Sequence, residues 1–120
     1  MHAVALTHAF IRAAEQAGMS DDEVTSLVSY LAEHPTVGQP IPGTGGCRKM
    51  RVGGRGKGKS GGYRTITFFS GDDLPLFLIT VFSKGERSDL SKSERNRLHT
   101  ITKAIVAEYR EKAASAKKGG

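Results

Sequence analysis

The residues that could do chemistry are concentrated in a cationic stretch from Arg48 to Arg64, which holds seven basic residues and no acidic one. No carboxylate occurs between Glu33 and Asp72, so nothing nearby in the sequence neutralises these charges. Such a cluster produces a field of several kT that attracts a polyanion. The stretch also contains six glycines, whose missing side chains let a phosphate backbone approach the main chain closely. The pattern predicts a basic hairpin that binds nucleic acid.

Clustered cations can also cleave RNA without a metal ion. In that reaction the 2′-hydroxyl attacks the adjacent phosphate, so the site must stabilise the phosphoryl oxygens, activate the hydroxyl and protonate the leaving 5′-oxygen. A planar guanidinium suits two phosphoryl oxygens at once, and a lysine crowded by other cations has a lowered pKa that suits proton transfer. On residue chemistry alone, catalysis and nucleic-acid binding without catalysis are equal alternatives.

Other types of site fit the sequence less well. Residues 53–60, GGRGKGKS, match the phosphate-binding loop of nucleotide hydrolases, but that loop must open a helix, and here the β-branched and aromatic segment YRTITFF follows. The four histidines lack zinc spacing, and Cys47 is the only cysteine, so we expect no metal or other cofactor. We interpret Cys47 as a small buried residue.

The elements that position the basic stretch begin with a helical hairpin. Apolar residues Phe10, Ile11 and Ala14 predict a helix over 8–17, terminated by Gly18. A capping box of Ser20 and Glu23 predicts the start of a second helix. Its buried face is predicted to contain Val24, Leu27, Val28 and Leu31, and it ends before Pro35.

A small antiparallel sheet is predicted next. Residues 36–46 are rich in Pro and Gly and are interpreted as an irregular crossing segment. Strands are predicted at about 47–52, 63–70 and 76–83, the first with one basic face and the last central in the sheet because its apolar run is almost continuous. Ser91 and Glu94 form a second capping box that opens a C-terminal helix.

Length and composition fit one domain over residues 1–120, with 113–120 as a disordered tail. The net charge of +6 indicates an anionic partner. No apolar run reaches the roughly 18 residues of a membrane span. With one cysteine and no signal-like segment, we expect a reduced, cytoplasmic protein.

Four segments in order resemble the RelE-like toxins of bacterial toxin–antitoxin modules: GTGGCRKMRV, the glycine-rich basic loop, SGGYRTITFF and LFLITVFSKGERSDLS. The order is most similar to the HigB2-type branch, and the resemblance covers about residues 4–110. It implies an α+β fold with a short edge strand at about residues 3–6, a helical hairpin, a small antiparallel sheet and a C-terminal helix. It also implies a ribosome-dependent mRNA endonuclease that needs no metal.

The resemblance further implies site residues and partners. Arg64 matches the central arginine of the family, and Lys84 and Glu86 match its K-x-E segment. Lys84, Lys57 and Lys59 are unranked candidates for proton transfer, and Glu86 is either a base or an ion-pair partner that orients Arg64 or Arg87. The residues assigned to holding mRNA or ribosomal RNA are Arg48, Lys49, Arg51, Arg55, Lys57 and Arg87. The implied partners are the ribosome, mRNA and a neutralising antitoxin with a helix-turn-helix domain. In the toxin–antitoxin complex, only the antitoxin would contact operator DNA.

One departure from the family pattern affects the chemistry. Position 85 is glycine, where related toxins often carry a larger polar or basic residue, and no tyrosine follows Arg87. Tyr63 either stands beside the site or faces the core. Three alternatives follow: a lysine supplies the proton, cleavage is slow, or cleavage is lost while ribosome binding persists.

Overall fold

The computed structural model of the chain describes residues 1–53, 62–83 and 90–119, with side chains described as far as residue 112. Three helices and five strands lie in these ranges, which confirms the predicted α+β fold. The helices are α1 (His8–Ala17), α2 (Asp21–Glu33) and α3 (Lys92–Gly119), and the strands are β1 (Val4–Leu6), β2 (Gln39–Pro40), β3 (Cys47–Val52), β4 (Tyr63–Phe68) and β5 (Leu76–Ser83).

The five strands form one sheet in the order β1-β5-β4-β3-β2. Strands β2 to β5 pair antiparallel, while β1 pairs parallel with β5. The predicted central strand is confirmed, because β5 lies between β1 and β4 and its residues are mostly buried. The short edge strand implied by the family resemblance is confirmed as β1. The sequence did not predict β2, a two-residue strand within the crossing segment.

The helix ends follow local capping chemistry. In α1 the Thr7 hydroxyl accepts a hydrogen bond from the Phe10 amide at 3.0 Å, and Gly18 closes the helix with φ of 78°. The predicted capping box is present at α2, where the Ser20 amide donates to Glu23 Oε1 at 2.9 Å and the Glu23 amide donates to Ser20 Oγ at 3.2 Å. The box at Ser91 and Glu94, before α3, is also present.

Two apolar clusters cover opposite faces of the sheet. The α1/α2 side is built on α1, α2 and alternate sheet residues, and its buried members are Phe10, Ala14, Met19, Leu27, Leu31, Leu76, Leu78 and Val81. The α3 side packs the last helix against the other face, with buried members Ile41, Cys47, Ile66, Phe68, Phe77, Ile79, Phe82, Leu90 and Leu98. Each strand of the central sheet therefore contributes side chains to both clusters.

The predicted buried faces of the hairpin are confirmed in large part. Leu27 and Leu31 are buried, and Val24 and Val28 are half-buried against the same cluster. Ile11 is the exception, because its side chain is 46% exposed. It lies about 100° around the helix axis from Phe10, outside the stripe that reaches the sheet.

The pairing of β4 with β5 contains a bulge. Ile66 pairs with Thr80 and Thr67 pairs with Leu78, so Ile79 is the extra residue. Because of this extra residue, Ile79 and Phe82 both belong to the α3 side although they are three positions apart. None of the described helices is long and apolar enough to cross a membrane.

Candidate active site

The register of β3 and β4 brings cations from two strands together on the α3 side. Arg51 lies directly opposite Arg64, and Arg64 in turn pairs with Phe82 of β5. Directly paired residues have their side chains on the same face, as do residues two positions apart along a strand. Lys49 therefore shares this face with Arg51 and Arg64. We call these three residues the basic face.

The basic face continues the apolar layer under α3. Moving along β4 from Phe68 to Ile66 and then Arg64, the side chains change from buried and apolar to half-buried and charged. Along β3 the change runs from buried Cys47 through half-buried Lys49 to exposed Arg51. The cations therefore lie where the apolar layer under α3 ends and the sheet meets solvent.

Arg64 has a feature that surface arginines lack. Its Nε atom is buried and has no hydrogen-bond partner within the described ranges. A buried donor without an acceptor costs about 1–3 kcal/mol, and most such groups in folded proteins are satisfied. An anion bound at the basic face would supply the missing acceptor and remove that cost.

Tyr63, next to Arg64 in the sequence, points to the other face of the sheet. Its hydroxyl donates to Glu23 Oε1 at 3.3 Å and approaches Gly18 O at 3.4 Å. Burial and, after it, the negative charge of Glu23 raise the pKa of the phenol above its usual value. Of the two alternatives, the structure therefore supports the core-facing one: Tyr63 ties β4 to the helical hairpin.

Arg48 also lies on the opposite face from Arg64, because it pairs with Thr67. Its Nη1 atom donates to Thr36 O at 3.2 Å, which connects β3 to the crossing segment. The structure therefore does not bring Arg48 together with the basic face, and its assignment to RNA binding stays a prediction.

Six predicted site residues lie outside the described residues: Arg55, Lys57, Lys59, Lys84, Glu86 and Arg87. The described residues on either side are informative, because Val52 pairs with Tyr63 and Tyr63 pairs with Ser83. The ends of β3 and β5 and the start of β4 therefore meet at one end of the sheet, one residue from Arg64.

Arg95 is a cation that sequence reasoning missed. It lines a cleft of about 450 Å³ together with Lys49 and the crossing-segment residues Pro40, Ile41, Pro42 and Gly43. Its Nη1 atom approaches Leu90 O at 3.4 Å. No local pattern identifies Arg95, because its position beside Lys49 depends on how α3 packs on the sheet.

Cys47 has no reactive character. Its side chain is 1% exposed, and burial raises the pKa of its thiol to about 11, against a smaller lowering by its hydrogen bond with Thr44. The interpretation as a small buried residue is confirmed. Within the ranges that the structure describes, no group of three His, Cys, Asp or Glu residues could hold a metal ion.

Two comparisons with known proteins agree with this architecture. The sequence model of a family described as the RelE toxin of the RelE/RelB toxin-antitoxin system matches residues 3–120. The structure of a double arginine-to-alanine mutant of E. coli toxin RelE, in the free state, superposes with a TM-score of 0.52 over 84% of this chain and 96% of that chain. The two sequences are 15% identical, so this likeness supports the fold alone.

Proposed function

This chain belongs to the RelE toxin family, and on that basis we propose that it is an endoribonuclease that cleaves mRNA on translating ribosomes and so arrests growth. The observation that carries the proposal is the buried Nε of Arg64, which has no hydrogen-bond partner among the described residues and lies on the same face as Arg51 and Lys49. A half-buried guanidinium whose Nε has no acceptor in the described part of the chain can donate that hydrogen bond to a phosphoryl oxygen.

The basic face accounts for the charge-stabilising part of the reaction. Attack by the 2′-hydroxyl places additional negative charge on the phosphoryl oxygens, and donors already fixed in place stabilise it without reorganising. Arg64 makes this contact in our proposal, because it is half-buried and backed by the apolar layer. Arg51, exposed on the neighbouring strand, contacts a flanking phosphate.

Proton transfer is assigned to lysine. Lys49 joins the sequence-based candidates Lys57, Lys59 and Lys84, because the register places it on the same face as Arg64. Glu86 keeps its two proposed roles, as a base or as an ion-pair partner. No metal ion takes part in the proposed reaction.

Dependence on the ribosome is consistent with so small a site. The decoding centre can hold the mRNA in an attack geometry that the toxin alone does not impose, which replaces positioning groups on the enzyme. We further propose that the chain belongs to the HigB2-type branch and acts in the cytoplasm. A helix-turn-helix antitoxin neutralises it, and the complex contacts operator DNA through that antitoxin.

A second candidate is an RNA-binding module without catalysis. Exposed Arg51 and the cleft between Lys49 and Arg95 would hold RNA equally well in either case. Gly85, where related toxins often carry a larger polar or basic residue, also favours this candidate.

Cleavage in a translating extract separates the two candidates. The parent protein is expected to cut a translated mRNA and to leave the same mRNA intact without ribosomes. Arg64→Ala is expected to co-sediment with ribosomes but to cut about 100- to 1,000-fold more slowly. Arg12→Ala, which removes an exposed arginine from α1, serves as the matched control and is expected to cut normally. A parent protein that binds ribosomes but never cuts would establish the binding module instead.

A further inference from the structure

The cleft beside the basic face, which we call the Arg95 cleft, has a chemistry that contact with a phosphate alone does not require. Its volume of about 450 Å³ lies within the range of about 300–1,000 Å³ that is typical of small-molecule sites. The described residues that line it are two cations and four uncharged residues of the crossing segment: Lys49, Arg95, Pro40, Ile41, Pro42 and Gly43. Cations beside an apolar wall suit a ligand that has both an anionic group and a flat apolar surface.

The uncharged wall of the cleft is bonded to elements on two sides. The Ile41 amide donates to Cys47 O at 2.9 Å, which connects the wall to β3. The Thr44 hydroxyl donates to Ile41 O at 2.6 Å, and Thr102 Oγ1 of α3 donates to Thr44 O at 3.1 Å. Pro42 is exposed, and its ring restricts the backbone there. A base that packs on this wall therefore meets an ordered surface, which lowers the entropy cost of binding.

Arg95 reaches the cleft from the opposite side, on α3. Leu98, three residues further along the helix, is buried in the same apolar cluster as Ile41, so this turn of α3 is packed against the wall. Arg95 itself is half-buried, and its Nη1 atom approaches Leu90 O at 3.4 Å. A guanidinium has five N–H donors, so Arg95 can keep this contact and still donate to a phosphate.

The distance from Arg64 to the cleft fits a continuous RNA strand. Arg64 lies directly opposite Arg51, and Lys49 is two residues from Arg51 along β3. Such diagonal neighbours on one face of a sheet lie about 7–8 Å apart. Lys49 also lines the cleft, so it joins the cleft to the basic face. A single nucleotide of an extended RNA strand spans this distance, and a phosphate bound at Arg64 therefore places the neighbouring nucleotide at the cleft.

We propose that the Arg95 cleft is a subsite for the mRNA nucleotide next to the cleaved bond, with its base packed on Pro42 and its phosphate held by Arg95. The inference deepens the proposed function and rests on it, because Arg64 is taken to hold the cleaved phosphate. Packing on an apolar wall removes the base from water without reading its hydrogen-bonding edge. A purine is favoured over a pyrimidine there, because its larger face buries more apolar area.

Binding of a 2′-O-methyl RNA trinucleotide of adenosines, which lacks the attacking hydroxyls, tests the subsite on the full chain. The amide chemical shifts of Gly43 and Arg95 are expected to change when this probe is added to the parent protein. Arg95→Ala should weaken binding about tenfold, as for the loss of a hydrogen bond to a charged group. Pro42→Asp, at an exposed position, puts a carboxylate on the wall and should also weaken binding.

Arg97→Ala is the matched control for Arg95→Ala. Arg97 is an exposed arginine of the same helix and lies about 200° around the helix axis from Arg95. The substitution removes the same charge, and the variant should bind the trinucleotide as the parent does.

An unchanged Gly43 shift at millimolar probe, or equal affinities of Arg95→Ala and the parent, would overturn the subsite. A trinucleotide without bases should bind several-fold more weakly than the adenosine probe, and equal binding would overturn the contact with Pro42.

Ribosomes without mRNA test whether the cleft holds ribosomal RNA instead. Arg95→Ala should co-sediment with them as the parent does, and a loss of co-sedimentation would overturn the assignment to mRNA. None of these measurements requires cleavage. A parent protein that binds the trinucleotide at the cleft but never cuts mRNA therefore fails the proposed function and leaves the nucleotide site standing.

Discussion

The two faces of the β3–β4 ladder differ although they are built from alternate residues of the same strands. On the α1/α2 side, Tyr63 and Thr65 have their hydroxyls satisfied, by Glu23 and by Met50 O. On the α3 side, Arg64 lies between them in sequence and keeps a buried Nε without an acceptor in the described structure. Neighbouring residues of β4 therefore differ in their bonding: the hydroxyls of Tyr63 and Thr65 form hydrogen bonds within the protein, whereas Arg64 Nε has no acceptor among the described residues.

We propose that this difference separates stability from function. The α1/α2 side contains Phe10, Leu31, Leu76 and Leu78, each 0% exposed, and holds the helical hairpin on the sheet. The α3 side is packed as far as Ile66 and Phe82 and then opens into the basic face. Substitutions on the α1/α2 side should lower the free energy of unfolding. Substitutions at the basic face should lower the rate of RNA cleavage or the affinity for RNA.

The largest stability effect is expected from Leu78→Ala, at the centre of the α1/α2 side. Removing a fully buried leucine side chain costs about 2–5 kcal/mol, from lost burial and the cavity that remains. Denaturant unfolding measures the loss, and cleavage per folded molecule should be unchanged. A loss below about 1 kcal/mol would mean that this side is not the stabilising one.

Alkaline pH should weaken the α3 side through Cys47. Its pKa is raised from 9.0 to about 11 in the folded state, so the folded protein retains a proton that the unfolded chain releases. This contribution is complete below about pH 9 and is lost as pH rises to about 11, an effect of about 2 kcal/mol. Denaturant unfolding at pH 8 and pH 10.5 should show a smaller decrease for Cys47→Ala than for the parent; equal decreases would contradict the assignment.

Tyr63→Phe tests the difference between the two faces at the residue next to Arg64. The substitution removes the hydrogen bond to Glu23 and should lower the free energy of unfolding by about 1 kcal/mol. Cleavage at saturating ribosome concentration should match that of the parent. Because the phenol no longer titrates, part of the alkaline destabilisation above about pH 10 should also disappear. A large loss of cleavage would show that Tyr63 takes part in the reaction.

The smallest effect is expected from Arg51→Ala. Loss of one exposed phosphate contact should weaken ribosome binding only several-fold and reduce the slope of log affinity against log salt by about 0.7–0.9. Arg12→Ala, on α1, should leave that slope unchanged. An unaltered slope for Arg51→Ala would remove Arg51 from the RNA contacts.

Much of the fold could be predicted because its signals are local. The capping box of Ser20 and Glu23 and the apolar run of β5 depend on residues close together in the sequence, and both predictions are confirmed. Strand β2 and the bulge at Ile79 could not be predicted, since both arise from pairing with distant strands.

The site could be predicted only in outline. Period-two alternation placed Lys49 and Arg51 on one face, but the pairing of Arg51 with Arg64 depends on the register between two strands. The position of Arg95 beside Lys49 depends on how α3 packs against the sheet, which no local pattern encodes.

The most direct test compares Arg64→Ala with Thr65→Val, two adjacent substitutions on opposite faces. For each variant, the cleavage rate on translating ribosomes is measured per folded molecule, together with the free energy of unfolding. We predict that Arg64→Ala loses about 100- to 1,000-fold in rate with little change in stability, while Thr65→Val loses about 1 kcal/mol of stability and cleaves normally. Undiminished cleavage by Arg64→Ala, or loss of cleavage by folded Thr65→Val, would contradict the division of the sheet into a stabilising and a catalytic face.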